Sequence, residues 1–549
     1  MLNRKHLETR LSTLKTERAS WDTLWKDSRD FILPEVGRWG IGETNKGSYK
    51  HGNIINGTAT RSLHVLATGM QSGLTSPSKI WFRLSTEDED MAEIDEVKQY
   101  LSECEKIMRS VFQRSNLYES TYSIYTELGG FGNAACAIVQ DSKTVIRCVP
   151  FTIGEYYLAL GADNRVNTVY REFTMTASQL VEAFGIDKVS TSAKNSYEND
   201  SSDAVFNVVH TVQPNIWQDE DKADNKNMPY LSVYYEPGCT EIGKEYLSIS
   251  GFEEFPVLTP RWQILGKNTY GVSPTRDAIG SVKMLQRMES KTLEALDKQV
   301  NPPMVAPASM KAHGGATLLP GGITYIDPTD GSGQFVPAYT INPDWAGMQN
   351  KIGLVQQEIQ QFYYNDLFFM IASAGKDMTA TEVLKRQEEK IIMLSPVVER
   401  LQNELLNPLI DRTFRILGDM GLLPPAPEVL QGQNLKIKYV SLLAQAQEYL
   451  KDINGIRDVA AFAGNLIAVF PEVGDRFDSD EAVKQYANSV GADPDILRTD
   501  KEVEEIRTAR AERQAKQDQA AEGQVQSSNA KTLSEANLST DNALTRIMR

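Results

Sequence analysis

Cysteine and histidine are scarce, with four and five in 549 residues. Cys104, Cys136, Cys148 and Cys239 form no CxxC pair and lie far apart, so they read as small buried hydrophobes of a reducing compartment. His6, His51, His64, His210 and His313 give no HExxH and no close pair, which argues against a structural zinc site. GxxxxGK[ST] is missing, and with it the phosphate cradle of a P-loop ATPase. GxSxG is missing as well. Long apolar runs are lacking too, so no membrane span is expected. The opening MLNRKHLETRLSTLKTERASWDTLWKD alternates charged and apolar residues and lacks the h-region of a signal peptide. No catalytic constellation is visible, since Glu253-Glu254 and Glu388-Glu389 read as surface charge. No metal, cofactor or enzymatic activity is expected.

Positive charge is also in deficit. Lys and Arg number 57 against 73 Asp and Glu, a net charge of −16. That balance argues against broad adhesion to nucleic acid or anionic membrane, although local basic patches remain open. The rest is ordinary for a globular chain, 41% hydrophobic and 24% charged. At about 150 residues per domain the length allows three or four domains.

Apolar spacing predicts a helix over 1–31, carried by Leu7, Leu11, Leu14, Trp21, Leu24 and Trp25. The Gly-rich stretch 37–57 reads as a loop, because no strand–Gly–helix pattern surrounds it. Helices are expected over 58–75, 90–117 and 119–130, with an extended piece at Trp81, Phe82 and Leu84. Strand candidates follow at Ala137–Gln140, Thr144–Val149, Val166–Phe173, Phe206–Gln213 and Tyr230–Tyr235. Ser190–Asp203 reads as a loop by composition. Residues 272–300 read as one long helix of about 44 Å, stopped by Pro302-Pro303. Residues 301–342 carry Gly, Pro, Thr and Asp with short strand candidates at Ile323–Ile326 and Gln334–Ala338. A second long helix is expected over 344–372, then a short loop, 373–378, and a third long helix to about Gly418. A strand candidate stands at Leu435–Val440, helices over 441–515, and a polar tail beyond. The fold class is α+β, mainly helical, with two long helices joined by a small β insertion into a projecting hairpin.

Arg276, Lys283, Arg287, Lys291 and Lys298 fall in one stripe of the first long helix, about 80° wide. Opposite lie Ile279, Val282, Leu285, Met288, Leu293 and Leu296. Two readings stand for the stripe. It is a solvated face paired within the helix, with Glu294 in the same stripe, or it faces a neighbouring subunit or a phosphate backbone. The second helix becomes apolar all round at Leu367–Ile371, which calls for burial on every side. The third opens on Thr379-Ala380-Thr381-Glu382, a capping box with Thr379 as N-cap and Glu382 at N3. Pro396 and Pro408 within its pattern predict a bent element.

Four stretches carry a resemblance to a known family. They are Gly69-Met70-Gln71-Ser72-Gly73-Leu74-Thr75-Ser76-Pro77 with Trp81-Phe82-Arg83-Leu84, and Leu128-Gly129-Gly130-Phe131-Gly132-Asn133-Ala134. The others are Met378-Thr379-Ala380-Thr381-Glu382-Val383 with Arg386, and Pro396 to Leu406 followed by Pro408-Leu409-Ile410. Over roughly residues 1–440 the chain resembles the portal, or head-to-tail connector, proteins of short-tailed double-stranded DNA bacteriophages.

The resemblance implies a homo-oligomeric ring, usually of twelve subunits, at one capsid vertex of the virion. Double-stranded DNA would enter and leave through its channel. It further implies a wing over 1–271, stem helices over 272–300 and 343–372, and a clip over 301–342. The loop Ser373, Ala374, Gly375, Lys376, Asp377 and Met378 would be the tunnel loop at the channel. Residues 379–440 would form the kinked tunnel helix and its return to the wing, 441–515 a helical crown, and 516–549 a polar tail. The implied partners are the terminase large subunit, a tail adaptor, capsid and scaffolding proteins, and internal core proteins; assembly would take place in the host cytoplasm. A conduit should not grip DNA, and an acidic ring suits it, because every counterion-releasing phosphate contact strengthens the hold. The alternatives are a capsid or scaffold protein without a channel, and an enzyme such as a nuclease or packaging ATPase. The missing P-loop and metal-ligand cluster weigh against the enzyme.

Overall fold

The computed structural model describes residues 3–39, 51–88, 94–199, 201–219, 224–305, 336–337, 341–373, 393–430, 435–441, 454–467, 476–490 and 502–517, with residues 91, 339, 470, 472 and 498. The chain divides into two units, Met1–Lys451 and Asp452–Arg549.

In the first unit, helix α1 spans Arg4–Phe31, with Asn3 as N-cap. Helices α2 (Thr58–Leu74), α3 (Asp95–Arg114) and α4 (Leu117–Phe131) follow, and strand β1 (Phe82–Thr86) lies between α2 and α3. Strands β2 (Ala135–Asp141) and β3 (Val145–Phe151) form a sheet with the two-residue β9 (Val257–Leu258) in the order β3-β2-β9. Strands β4 (Tyr156–Leu160), β5 (Val166–Thr176), β6 (Val205–Pro214), β7 (Tyr230–Tyr235) and β8 (Ser248–Phe252) make an antiparallel meander in sequence order.

Both faces of the meander are covered, for different reasons. On one face Leu7, Leu11 and Leu14 of α1 pack on Tyr157, Tyr170, Val209, Leu231, Val233 and Tyr235, as a stripe at helical spacing should. On the other, two short helices, α5 (Ala177–Phe184) and α6 (Thr191–Glu198), bring Leu180 and Ala193 onto Val208. Helix α6 corrects the expectation of a loop over Ser190–Asp203. Ser190 accepts a hydrogen bond from the Ala193 N–H, and buried Ala193 anchors the helix. One cap and one small apolar residue suffice where the rest of the segment is polar.

The first long helix, α7, runs Pro274–Val300, and the second long element breaks into α8 (Trp345–Phe362) and α9 (Asn365–Ser373). Strands β10 (Met304–Val305) and β11 (Val336–Pro337) pair antiparallel between α7 and α8. The chain is helical over 393–401, passes a π turn at Gln402–Leu406, and continues as α10 (Asn407–Asp419). Strand β12 (Leu435–Tyr439) returns to pair antiparallel with β1, Phe82 opposite Tyr439. One core joins Trp25, Leu63, Leu66, Phe112, Leu128, Ile138, Val282, Val355, Leu401 and Leu409, so helices from both ends of this unit share it.

The second unit contains α11 (Asn454–Ile467), α12 (Ser479–Val490) and a helix over 502–517, in which Arg507 pairs with Asp480. Among the described residues no helix is long and apolar enough to cross a membrane.

Candidate functional site: the long-helix hairpin and its anchoring node

Helix α7 starts with a complete set of helix signals. Ser273 is the N-cap and accepts from the Arg276 N–H, and Pro274 follows in the first turn. Its head sits on the motif Leu128 to Ala134. Ser273 Oγ donates to the Gly130 carbonyl and Thr275 Oγ1 to that of Gly129. The glycines there have a physical cause. Gly132 has φ +80°, and a Cβ on it would stand 2.6 Å from the Gly271 carbonyl oxygen. A Cβ on Gly129 would meet Leu63 at 2.5 Å. Asn133 closes the node, donating to the carbonyls of Phe131 and Gly271 and accepting from the Gly271 N–H.

Two further ties hold the upper half of α7. Gln286 Oε1 accepts from the backbone N–H groups of Ile55 and Asn56, and its Nε2 donates to the Asn56 carbonyl. The Tyr363 hydroxyl lies 2.7 Å from Thr275 Oγ1. Tyr363 ends the first part of the second long element, where Tyr364 takes φ +56°. The expectation of one unbroken stem helix over 343–372 is therefore corrected. A left-handed residue cannot continue an α-helix, and the buried Tyr363–Thr275 contact stands at the break.

Burial divides the hairpin into two zones. Ala278, Val282 and Leu285 of α7, with Ile352, Val355 and Ile359 of α8, are buried. Towards β10 the end of α7 is bare, with Leu293 54%, Leu296 47% and Val300 78% exposed. Leu354 on α8 and Val305 on β10 are exposed too. Leu293 and Leu296 belong to the apolar residues opposite the basic stripe, and the chain's own fold leaves them open. All-round burial at Leu367–Ile371 holds for Leu367 and Phe368, while Phe369 is half exposed.

The five-residue stripe also resolves into parts. Lys283 pairs with Asp27 of α1 at 2.8 Å and lies over the Phe31 ring. Glu294 accepts from both Lys291 and Lys298, which hold its carboxyl down at about 2 and raise the Lys298 ammonium. Among the described residues Arg276 and Arg287 have no ion-pair partner; both are exposed. Ala374, Gly375, Lys376, Asp377 and Met378, the cap Thr379 and Glu382, Arg386, and Ile323–Ile326 lie outside the described residues. Ser373 is the last residue of α9.

Side chains that no spacing argument singled out tie this region together. Arg261 forms a two-pronged ion pair with Glu404, Nη2 to Oε1 at 2.6 Å and Nε to Oε2 at 3.1 Å. Its backbone N–H also donates to Glu404 Oε2. Arg412 donates to the Ile138 carbonyl and pairs with Glu254, while Arg415 pairs with Glu253. Glu404 lies inside the quoted Pro396–Leu406 stretch; Arg261 carries no local signal.

The chain thus builds an N-terminal helical and sheet body that feeds a long-helix hairpin. The family model for bacteriophage head to tail connecting proteins matches residues 4–497, and the chain belongs to that family. It is 40% identical over 546 residues to the portal protein of Salmonella phage epsilon15, covering 99% of this chain and 98% of that one. It is 39% identical over 550 residues to the probable portal protein of Bordetella phage BPP-1, covering 100% and 98%. Among solved structures it is similar to a chain of the virion of a native gene transfer agent particle, at 11% identity, 84% and 98% coverage and TM-score 0.33. A chain of the neck of a native gene transfer agent particle, computed with C12 symmetry, gives 11% identity, the same coverage and TM-score 0.35. Likenesses that slight carry no argument.

Proposed function

We propose that copies of this chain close into a ring at one capsid vertex, through which double-stranded DNA is packaged and ejected. Membership of the connector family, with relatives named portal proteins, carries this reading. The two-zone hairpin supports it. Leu293, Leu296, Val300 and Leu354 need a partner surface, and a head-to-tail contact repeated by rotation offers one to every copy. Twelve subunits is the expected number. On this reading residues 1–271 are the wing, 272–300 and 343–372 the stem, 301–342 the clip, 373–378 the tunnel loop, 379–440 the tunnel helix and return, and 441–515 the crown. The clip receives the terminase large subunit and later the tail adaptor; the wing and crown meet capsid, scaffolding and internal core proteins.

The charge pattern fits a conduit. Three of the five stripe cations are already paired, which leaves Arg276 and Arg287. Eleven residues separate them, about 16 Å along the axis and nearly on one side of the helix. Two thin tiers of cations on a ring of net charge −16 per subunit hold phosphate lightly.

The test is an axial image of the purified assembly together with an ATPase assay. A ring with a central hole and no hydrolysis is expected; a closed shell fragment, or only monomers at high concentration, would refute the reading. Lys376→Ala should spare the ring and change DNA packaging or retention.

A further inference from the structure

The helix over 393–419 contains one irregularity, and its causes are all visible. The Asn407 N–H donates to the carbonyl of Gln402, five residues back instead of four. Pro408 follows directly. In a regular α turn its ring would strike the carbonyl of Glu404, and it has no N–H to return. The extra residue of the π turn relieves that clash. Glu404 sits in the middle of the turn, and both its oxygens are taken by Arg261, whose side chain is 3% exposed.

Arg261 is itself fixed to the node that starts α7. Its backbone bridges to Asn133, and its neighbours bond on either side, the Ala134 N–H to the Pro260 carbonyl and the Trp262 N–H to the Gly132 carbonyl. Its guanidinium also donates to the carbonyls of Thr269 and Asn164. The π turn is therefore tied to the same few residues that seat the head of the stem helix.

We propose that Arg261 and Glu404 are a positioning pair that holds the π turn and so fixes the rotational setting of residues 393–401 against the head of α7. If the turn relaxed to regular α geometry, the helix before it would rotate by about 100° and advance by about 1.5 Å. The pair matters for DNA passage on the channel reading above, and the proposal rests on that reading for its functional half.

Two measurements on assembled rings test it. Hydrogen exchange of peptides covering 402–407 should quicken at least tenfold in Arg261→Ala, with β5 and β6 unchanged. Arg261→Lys, which keeps the charge but not the two-pronged geometry, should fall between. Separately, deleting Asn403 removes the extra residue, whereas Asn403→Ala keeps the count. The deletion should form rings but package DNA at least tenfold less, and the substitution should package normally. Unchanged exchange in Arg261→Ala, or exchange rising equally across the sheet, overturns the pairing. Normal packaging by the deletion overturns its role in passage. If the deletion makes no rings, packaging by Arg261→Ala rings decides the role in passage, at least tenfold less supporting it and normal packaging overturning it. Wild-type rings without an axial hole would instead sink the channel reading, and the exchange series would still decide the clamp.

Discussion

The ring of Phe368 packs against Gly69, so close that a Cβ there would come within 2.1 Å of Phe368 Cδ1. This contact binds α9 to α2, across 299 residues of chain, and gives the first glycine of the Gly69-to-Pro77 motif its reason. Gly69→Ala should cost about 2 kcal/mol in denaturant unfolding, the scale of overpacking in a tight core. Adding Phe368→Leu should recover most of that loss, since the methyl then has room. No recovery would mean the glycine serves its backbone and not the contact.

Tyr363→Phe removes the hydroxyl that meets Thr275 and leaves Thr275 bonded to the Gly129 carbonyl. The expected loss is about 1 kcal/mol, one buried hydrogen bond without an orphaned partner. Thr275→Val strips both bonds and should cost more. Chemical denaturation of the two variants checks the order.

Glu127 lies on α4 with its carboxyl turned away from solvent, and burial of that group pushes it up to about 8, against hydrogen bonds from Thr152 and the Ile153 backbone. Its Oε2 has no hydrogen-bond partner among the described residues. The folded state thus holds this proton more tightly than the unfolded chain, whose value is 4.5. The contribution is complete below 4.5 and is lost as pH rises through about 8. Melting temperatures of wild type relative to Glu127→Gln should therefore fall between about pH 5 and pH 8 and level off above. A difference that stays flat across that range would contradict the burial.

Leu296→Asp should separate folding from assembly. Leu296 is 47% exposed in the single chain, so monomer stability should move by no more than about 0.5 kcal/mol. On the ring reading, the same change places a carboxylate in a subunit contact and should abolish rings in size-exclusion chromatography and negative-stain images. Intact rings would show that this end of the hairpin faces solvent.

Local chemistry made much of this molecule legible. Leu7, Leu11 and Leu14 announced α1 and its buried face, and the strand candidates from Ala137 to Tyr235 fell on observed strands, with only Thr144 outside, in the turn before β3. Strand β4 was missed, because Tyr156–Leu160 is buried almost throughout and shows no alternation. Helix α6 was missed because its only apolar anchor is Ala193. The break at Tyr364 was invisible for another reason: its hydrophobic pattern runs on through the junction, and only the Tyr363–Thr275 contact distinguishes it.

The candidate site divides in the same way. The stripe on α7 could be read from periodicity, but which cations were spent could not. Asp27 reaches Lys283 from a helix 256 residues away, and nothing near Arg261 in the chain points to Glu404, 143 residues on. By itself, then, the sequence determined α1, the first long helix, the strands with clean alternation and the family, because each rests on interactions within a few residues or on ordered motifs. Only the tertiary structure decided which apolar residues lack cover, which charges are matched and why Gly69 and Gly132 must be glycine. Those are properties of surfaces brought together from distant segments, and no local spacing encodes them.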